Sequence, residues 1–70
     1  MNWVPVTSSN LDAVAYDENT STLYVRFNHG GEYAYANVPQ SEYTGLLSAG
    51  SHGKYFDAHI KKGGYSYRKL

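Results

Sequence analysis

Thr22-Leu23-Tyr24-Val25-Arg26-Phe27-Asn28-His29-Gly30-Gly31-Glu32-Tyr33-Ala34-Tyr35 decides the fold. Leu23, Val25 and Phe27 alternate with Tyr24 and Arg26, the period of a half-buried strand. Asn28-His29-Gly30-Gly31 supplies hairpin chemistry, because glycine accepts positive φ. A second alternating run follows and is expected to return as a strand over 32–38. The register is open. A two-residue loop sets Tyr33 and Tyr35 beside Tyr24 and Arg26; a three-residue loop swings them under Leu23, Val25 and Phe27. A one-residue slip exchanges the faces.

Working outward, residues 1–6 read as an extended lead-in, since Pro5 disfavours helix. Thr7, Ser8, Ser9 and Asn10 form a polar turn. A first strand is expected over 11–16, with Asp12, Val14 and Tyr16 on one face and Leu11, Ala13 and Ala15 on the other. Pro39 suits the entry of a helix running to Ala49. Tyr43, Leu46 and Leu47 give it one buried stripe. Gly45 inside that helix costs about 1 kcal/mol against alanine and points to a close approach of its backbone. Gly50 is expected to end the helix and Ser51 to cap a second one, running to about Lys62 with Tyr55, Phe56, His59 and Ile60 inside. Gly63-Gly64 breaks it, and 65–70 reads as a final short strand. The class is α+β: an antiparallel three-stranded meander, a helical hairpin, then a short final strand, in the order β-β-β-α-α-β within one small domain, 1–70.

Composition narrows the rest. A chain of 70 residues buries only about 60% of the surface its unfolded form exposes. It has no cysteine, so neither disulfides nor a cysteine zinc site supplement the core. Eight tyrosines supply ring mass with few rotatable bonds, and a second copy of the chain is the other natural supplement. No signal peptide and no membrane-length apolar run is visible, so a cytoplasmic location is expected.

The zero net charge conceals a segregation: residues 1–42 carry a net −4 and residues 43–70 a net +4. The basic half interleaves Lys54, Lys61, Lys62, Arg68 and Lys69 with Tyr55, Phe56, Tyr65 and Tyr67. Cations among aromatics hold phosphates and stack bases. The blander reading is a solvated edge strand whose lysines block aggregation. Gly50-Ser51-His52-Gly53 matches the G-x-x-G loop with which KH domains clamp a nucleic-acid backbone, and Lys54 adds charge; as plain punctuation, Gly50 stops one helix and Ser51 starts the next. Ala49-Gly50-Ser51-His52-Gly53 approaches a nucleophile elbow, but a helix precedes the serine where the elbow needs a strand. His52 and His59 lie about 10.5 Å apart along a helix, too far to share an ion. No catalytic residue, metal or cofactor is expected.

The ordered set Ser8-Ser9-Asn10-Leu11, Val14-Ala15-Tyr16-Asp17, Leu23-Tyr24-Val25-Arg26-Phe27, Gly30-Gly31, Tyr33-Ala34-Tyr35, Val38-Pro39, Ser51-His52-Gly53-Lys54-Tyr55-Phe56, Ile60-Lys61 and Tyr65-Ser66-Tyr67 resembles the KTSC domain. That module is named for its occurrence at the C-terminus of some lysyl-tRNA synthetases and also forms tiny free-standing bacterial and phage proteins. Asn10, Gly53, Phe56 and the closing tyrosines recur across the resemblance; Ala15 departs from it, standing where glycine is expected. The resemblance implies a non-enzymatic module that docks on RNA or protein. Two expectations follow. The first is a binding module that contacts an RNA backbone through Lys54, Lys61, Lys62 and Arg68, helped by Tyr65, Tyr67, Ser51 and Gly53. The second is a protein-interaction module or homodimer, such as a phage or mobile-element accessory acting on a host protein.

Overall fold

The computed structural model describes residues 2–70; Met1, the start of the expected lead-in, lies outside them. Five strands form one antiparallel sheet in the order β1-β2-β3-β4-β5: β1 (Val4–Pro5), β2 (Leu11–Asp17), β3 (Thr22–Phe27), β4 (Glu32–Tyr35) and β5 (Tyr67–Lys69). Between β4 and β5 the chain forms α1 (Gln40–Ser48), α2 (His52–Tyr55) and a π-helical turn (Phe56–Lys61). The α+β class and the element order follow the sequence reading. The lead-in proves to be an edge strand, where Pro5 costs no ladder bond.

The β3–β4 hairpin has a three-residue loop. Phe27 N–H donates to the Gly31 carbonyl at 2.8 Å, and Gly30 takes φ +103°. Leu23 therefore faces Tyr35, and Val25 faces Tyr33. Both tyrosines stand on the core side. β4 ends at Tyr35, short of the expected Val38, because Asn37 turns with φ +59°. Val38 is buried by that turn and donates its N–H to the Ser21 carbonyl at 2.9 Å.

Strict alternation fails in β2. A bulge between Leu11 and Ala13 sets both Leu11 and Val14 inside. An extra residue in one strand shifts every later side chain by one face. Leu11, Val14, Leu23, Val25, Tyr35 and Val38 then meet Leu46, Phe56 and Ile60 from the helices to make the core.

Among the described residues, no helix covers the opposite face of the sheet. It is roofed by its own long side chains: Arg26 lies 4.3 Å over the Trp3 ring, and Trp3 meets Tyr24 edge-on. Ala13 sits opposite Arg26, while Ala15 and Ala34 sit opposite Tyr24, and all three alanines are buried.

Three details of the helices differ from the expected ones. α1 ends at an extended Ala49 (φ −68°, ψ 145°), and Gly50 is not left-handed. Its end is closed by His52, whose Nδ1 lies 2.8 Å from the Leu46 carbonyl. A carbonyl only accepts, so Nδ1 carries the proton. The second helix widens after Tyr55: Lys62 N–H reaches back five residues to the Asp57 carbonyl at 3.1 Å. His59 is exposed rather than inward, stacked on Tyr55 at 4.0 Å. The close approach signalled by Gly45 is real: the Tyr55 hydroxyl occupies the space a Cβ would take and donates to Glu42 at 2.7 Å.

Candidate functional site

Three neighbouring strands, β3, β4 and β5, and the π-helical turn enclose an aromatic cleft of about 530 Å³. Its floor is Phe56, buried against Phe27 and Tyr35 in edge-on contacts at 5.5 and 5.6 Å. Tyr33 and Tyr35 line it because the hairpin loop has three residues. Tyr67 joins them because β5 pairs Tyr35 with Tyr67. The Tyr67 ring lies 5.3 Å from Tyr35 and 6.0 Å from Tyr33, yet Tyr67 is 64% exposed. An aromatic side chain held so open by its own sheet presents a bare ring face to solvent. His29 closes the hairpin end, stacked flat on Phe27 at 5.4 Å.

Besides His29 and the tyrosine hydroxyls, three described lining residues are polar. Asn10 comes from the turn before β2; Asp57 and Lys61 come from the π-helical turn. In that wider turn, residues four and five apart share a side, so Phe56 and Ile60 point into the core while Asp57 and Lys61 both reach the cleft. Single π turns inside helices recur at functional sites. Burial raises the Tyr35 hydroxyl above the ordinary tyrosine pKa, with Tyr67 and Tyr33 adding to the effect. It is therefore neutral at ordinary pH, able both to donate and to accept.

Lysines outnumber carboxylates around the mouth. Lys69 lies directly opposite Tyr33 across the β4–β5 pair and shares an adjoining hollow with His29. Lys54 borders a second hollow that shares Asn10 and Asp57 with the cleft. Among the described residues, Lys54, Lys61 and Lys69 make no salt bridge, whereas Lys62 is held by Asp57 at 3.3 Å.

The residues singled out in the sequence are thus distributed over several places. Lys61 and Tyr67 lie in the cleft, and Lys54 lies beside it. Tyr65 packs on the core. Arg68 pairs with Ala34 and stands on the helix-free face of the sheet. Ser51 caps α2, accepting from Lys54 N–H at 3.3 Å. Gly53 is needed for contact: a Cβ there would strike Asn10 and Ser8. This contact seats α2 on the turn before β2, and Ser8 Oγ fixes that turn by donating to Asn10 Oδ1 at 2.9 Å. The sequence reading left Lys69, Asp57, Asn10 and His29 out of the site. Alternation along 67–69 carried the signal for Lys69, since Lys69 shares a face with Tyr67 and Arg68 does not.

Serine and histidine chemistry does not assemble. Ser51 is a cap, His52 closes α1, and no group of three or more His, Asp or Glu that could hold a metal occurs among the described residues. Nor is any helix among the described residues long and apolar enough to cross a membrane.

The sequence profile of the KTSC domain matches residues 7–65. A protein of Tsukamurella paurometabola is 37% identical over 57 residues, spanning 81% of this chain and 85% of the relative. An uncharacterised protein of Stutzerimonas stutzeri is 34% identical over 70 residues, spanning 100% of this chain and 99% of the relative. The crystal structure of a KTSC domain protein from Yersinia pestis superposes with a TM-score of 0.92 at 35% identity, covering 99% of this chain and 96% of that one. With sequence and fold agreeing along nearly its whole length, this chain belongs to the KTSC domain family.

Proposed function

We propose that this domain is a small binding module for single-stranded nucleic acid, and that the aromatic cleft is where it binds. The observation that carries the reading is Tyr67: a ring 64% exposed, backed by Tyr33 and Tyr35 and flanked by cations without carboxylate partners. A flat, sequence-tolerant ring face beside positive charge is what a splayed base and its phosphates require. One unstacked base lies against Tyr67, and Lys61 and Lys69, with Lys54 farther along, take the phosphates on either side. Arg68 has no part in this site, and Lys62 acts only through Asp57.

The test is a fluorescence-anisotropy titration of labelled single-stranded RNA, single-stranded DNA and tRNA at low and physiological salt. Binding that weakens as salt rises, and that is weaker in Lys61→Glu and in Lys69→Glu, supports the reading. Absence of binding at low salt, or affinity indifferent to salt, overturns it.

A further inference from the structure

We infer that the base held in the cleft is guanine, read by Asp57 together with Lys61 and Asn10. The inference rests on the nucleic-acid reading and adds to it the identity of the base.

The cleft walls are almost wholly aromatic, and a base between rings is held without regard to its identity. Discrimination must come from the few polar groups at the mouth. Asp57 is the single carboxylate among the described residues that line the cleft. Ionised, it only accepts. It therefore favours a base edge with two adjacent donors, because two parallel N–H groups match the two oxygens of a carboxylate. Guanine alone offers this, with N1–H beside the N2 amino group. Adenine and cytosine each present one amino group next to a ring nitrogen lone pair, which the carboxylate repels. Uracil presents one N–H between two carbonyls.

The remaining groups complete the match. Guanine places its acceptors, O6 and N7, together on the other side of the ring. Lys61 stands four residues from Asp57 on the same turn and makes no salt bridge among the described residues. Lysine donates readily to O6 and N7. Asn10 spends its carbonyl oxygen on Ser8 Oγ, which leaves its amino group without a protein partner among the described residues. The mouth thus offers one carboxylate acceptor and two donors, the groups that the donor pair and the O6 and N7 acceptors of guanine call for. Lys62 Nζ, 3.3 Å from Asp57 Oδ2, holds the carboxylate in place. The wide turn matters to this geometry: it sets Asp57 and Lys61 at one mouth while Phe56 stays buried beneath.

The test uses nine-residue uridine strands carrying guanosine, inosine, adenosine or cytidine at the centre, beside the all-uridine strand, titrated into the intact domain. The guanosine strand is expected to bind tenfold or more tighter than the all-uridine strand. Inosine lacks the N2 amino group and should fall between them. Asp57→Asn removes the preference for guanosine. Its thermal transition shows that the variant is folded, and Arg68→Glu, on the helix-free face, keeps both the preference and the affinity. Guanosine monophosphate, added as competitor, separates a free nucleotide from a strand: displacement at equal concentration means that the strand adds nothing. If all five strands bind alike, or if Asp57→Asn keeps the preference, guanine reading is overturned while the cleft stands. If none binds, the binding function itself falls.

Discussion

Tyr16, Leu23, Tyr35 and Tyr67 stand in one row across the helix-covered side of the sheet, and the two ends of the row behave oppositely. At the β2 end, Tyr16 lies flat on Tyr43, 5.2 Å apart and 14° from parallel. Each ring covers the face of the other, and the Tyr16 hydroxyl donates to the Val38 carbonyl at 2.5 Å. The hollow beside them is edged by Asp17 and Glu18. At the β5 end, Phe27, Tyr33, Tyr35 and Phe56 meet largely edge-on, and Tyr67 lies on top with one face bare. The hydroxyls of Tyr33, Tyr35 and Tyr67 donate to no protein group among the described residues, and the charges nearby are Lys61, Lys69 and the carboxylate of Asp57. Flat stacking with a tied hydroxyl uses up a tyrosine. Edge contacts with a free hydroxyl leave it available. The segregation of charge along the chain survives in the fold at these two places, though Arg26 with Glu32 and Lys62 with Asp57 cancel part of it elsewhere.

The largest effect is expected beneath the cleft. Phe56→Ala removes a ring shared by core and cleft, at a cost of about 3–5 kcal/mol. A domain with few kilocalories to spare then unfolds, seen as loss of its thermal transition. A folded, merely loosened Phe56→Ala protein would mean that the floor belongs to the cleft alone. The walls separate the two ends more cleanly. Tyr67→Ala should weaken strand binding by about 1–3 kcal/mol, the worth of one stacked base, with little change in melting. Tyr16→Phe should do the reverse, losing about 1 kcal/mol of stability and no affinity. If both variants lost affinity alike, the two ends would not differ in role.

Much of this was legible before any coordinates. The hairpin, the helical pair and the final strand follow from periodicity and from glycine placement. The face of Tyr33 and Tyr35 did not, because Gly30 and Gly31 permit loops of two or three residues and only positive φ at Gly30 selects between them. The bulge at Asp12 was invisible for a related reason: a run of alternating residues looks the same on either side of one insertion. The π-helical turn has no local signature, although the four-residue spacing that puts Asp57 and Lys61 on one side is already in the sequence. The candidate site was therefore half legible. Tyr67 and Lys61 emerge from composition, and Lys69 from alternation along 67–69; Asp57 and Asn10 emerge only when separate elements meet.

Charge reversal on adjacent residues of β5 gives a smaller and sharper effect. Lys69 shares the cleft side with Tyr67, and Arg68 faces away. Lys69→Glu should lower the slope of log affinity against log salt by about 0.7, one phosphate contact on a single strand. Arg68→Glu should leave the slope unchanged. Equal effects would mean that the field of the whole molecule, and not the cleft, attracts the strand.

The smallest effect is a proton. Burial raises the hydroxyls of Tyr35 and Tyr43, and the hydrogen bond to Glu42 raises Tyr55. An acid harder to ionise when folded contributes stability in full below its unfolded pKa, about 10 for tyrosine, and loses it as pH rises through the folded value. The midpoint of urea unfolding should therefore hold steady to about pH 10 and fall above it. The stability difference between the protein and Tyr55→Phe should shrink over the same interval; a constant difference would show that Glu42 does not hold that proton. Tyr35 and Tyr43 divide the two ends once more. A base seated in the cleft buries Tyr35 further and should move its alkaline titration upward, followed by NMR of labelled tyrosine rings. Tyr43, stacked on Tyr16 across the sheet, should titrate as before. An upward shift at both would place the strand over the whole row, whereas a shift at Tyr43 alone would put it at the acidic end, where the lysines could not hold it.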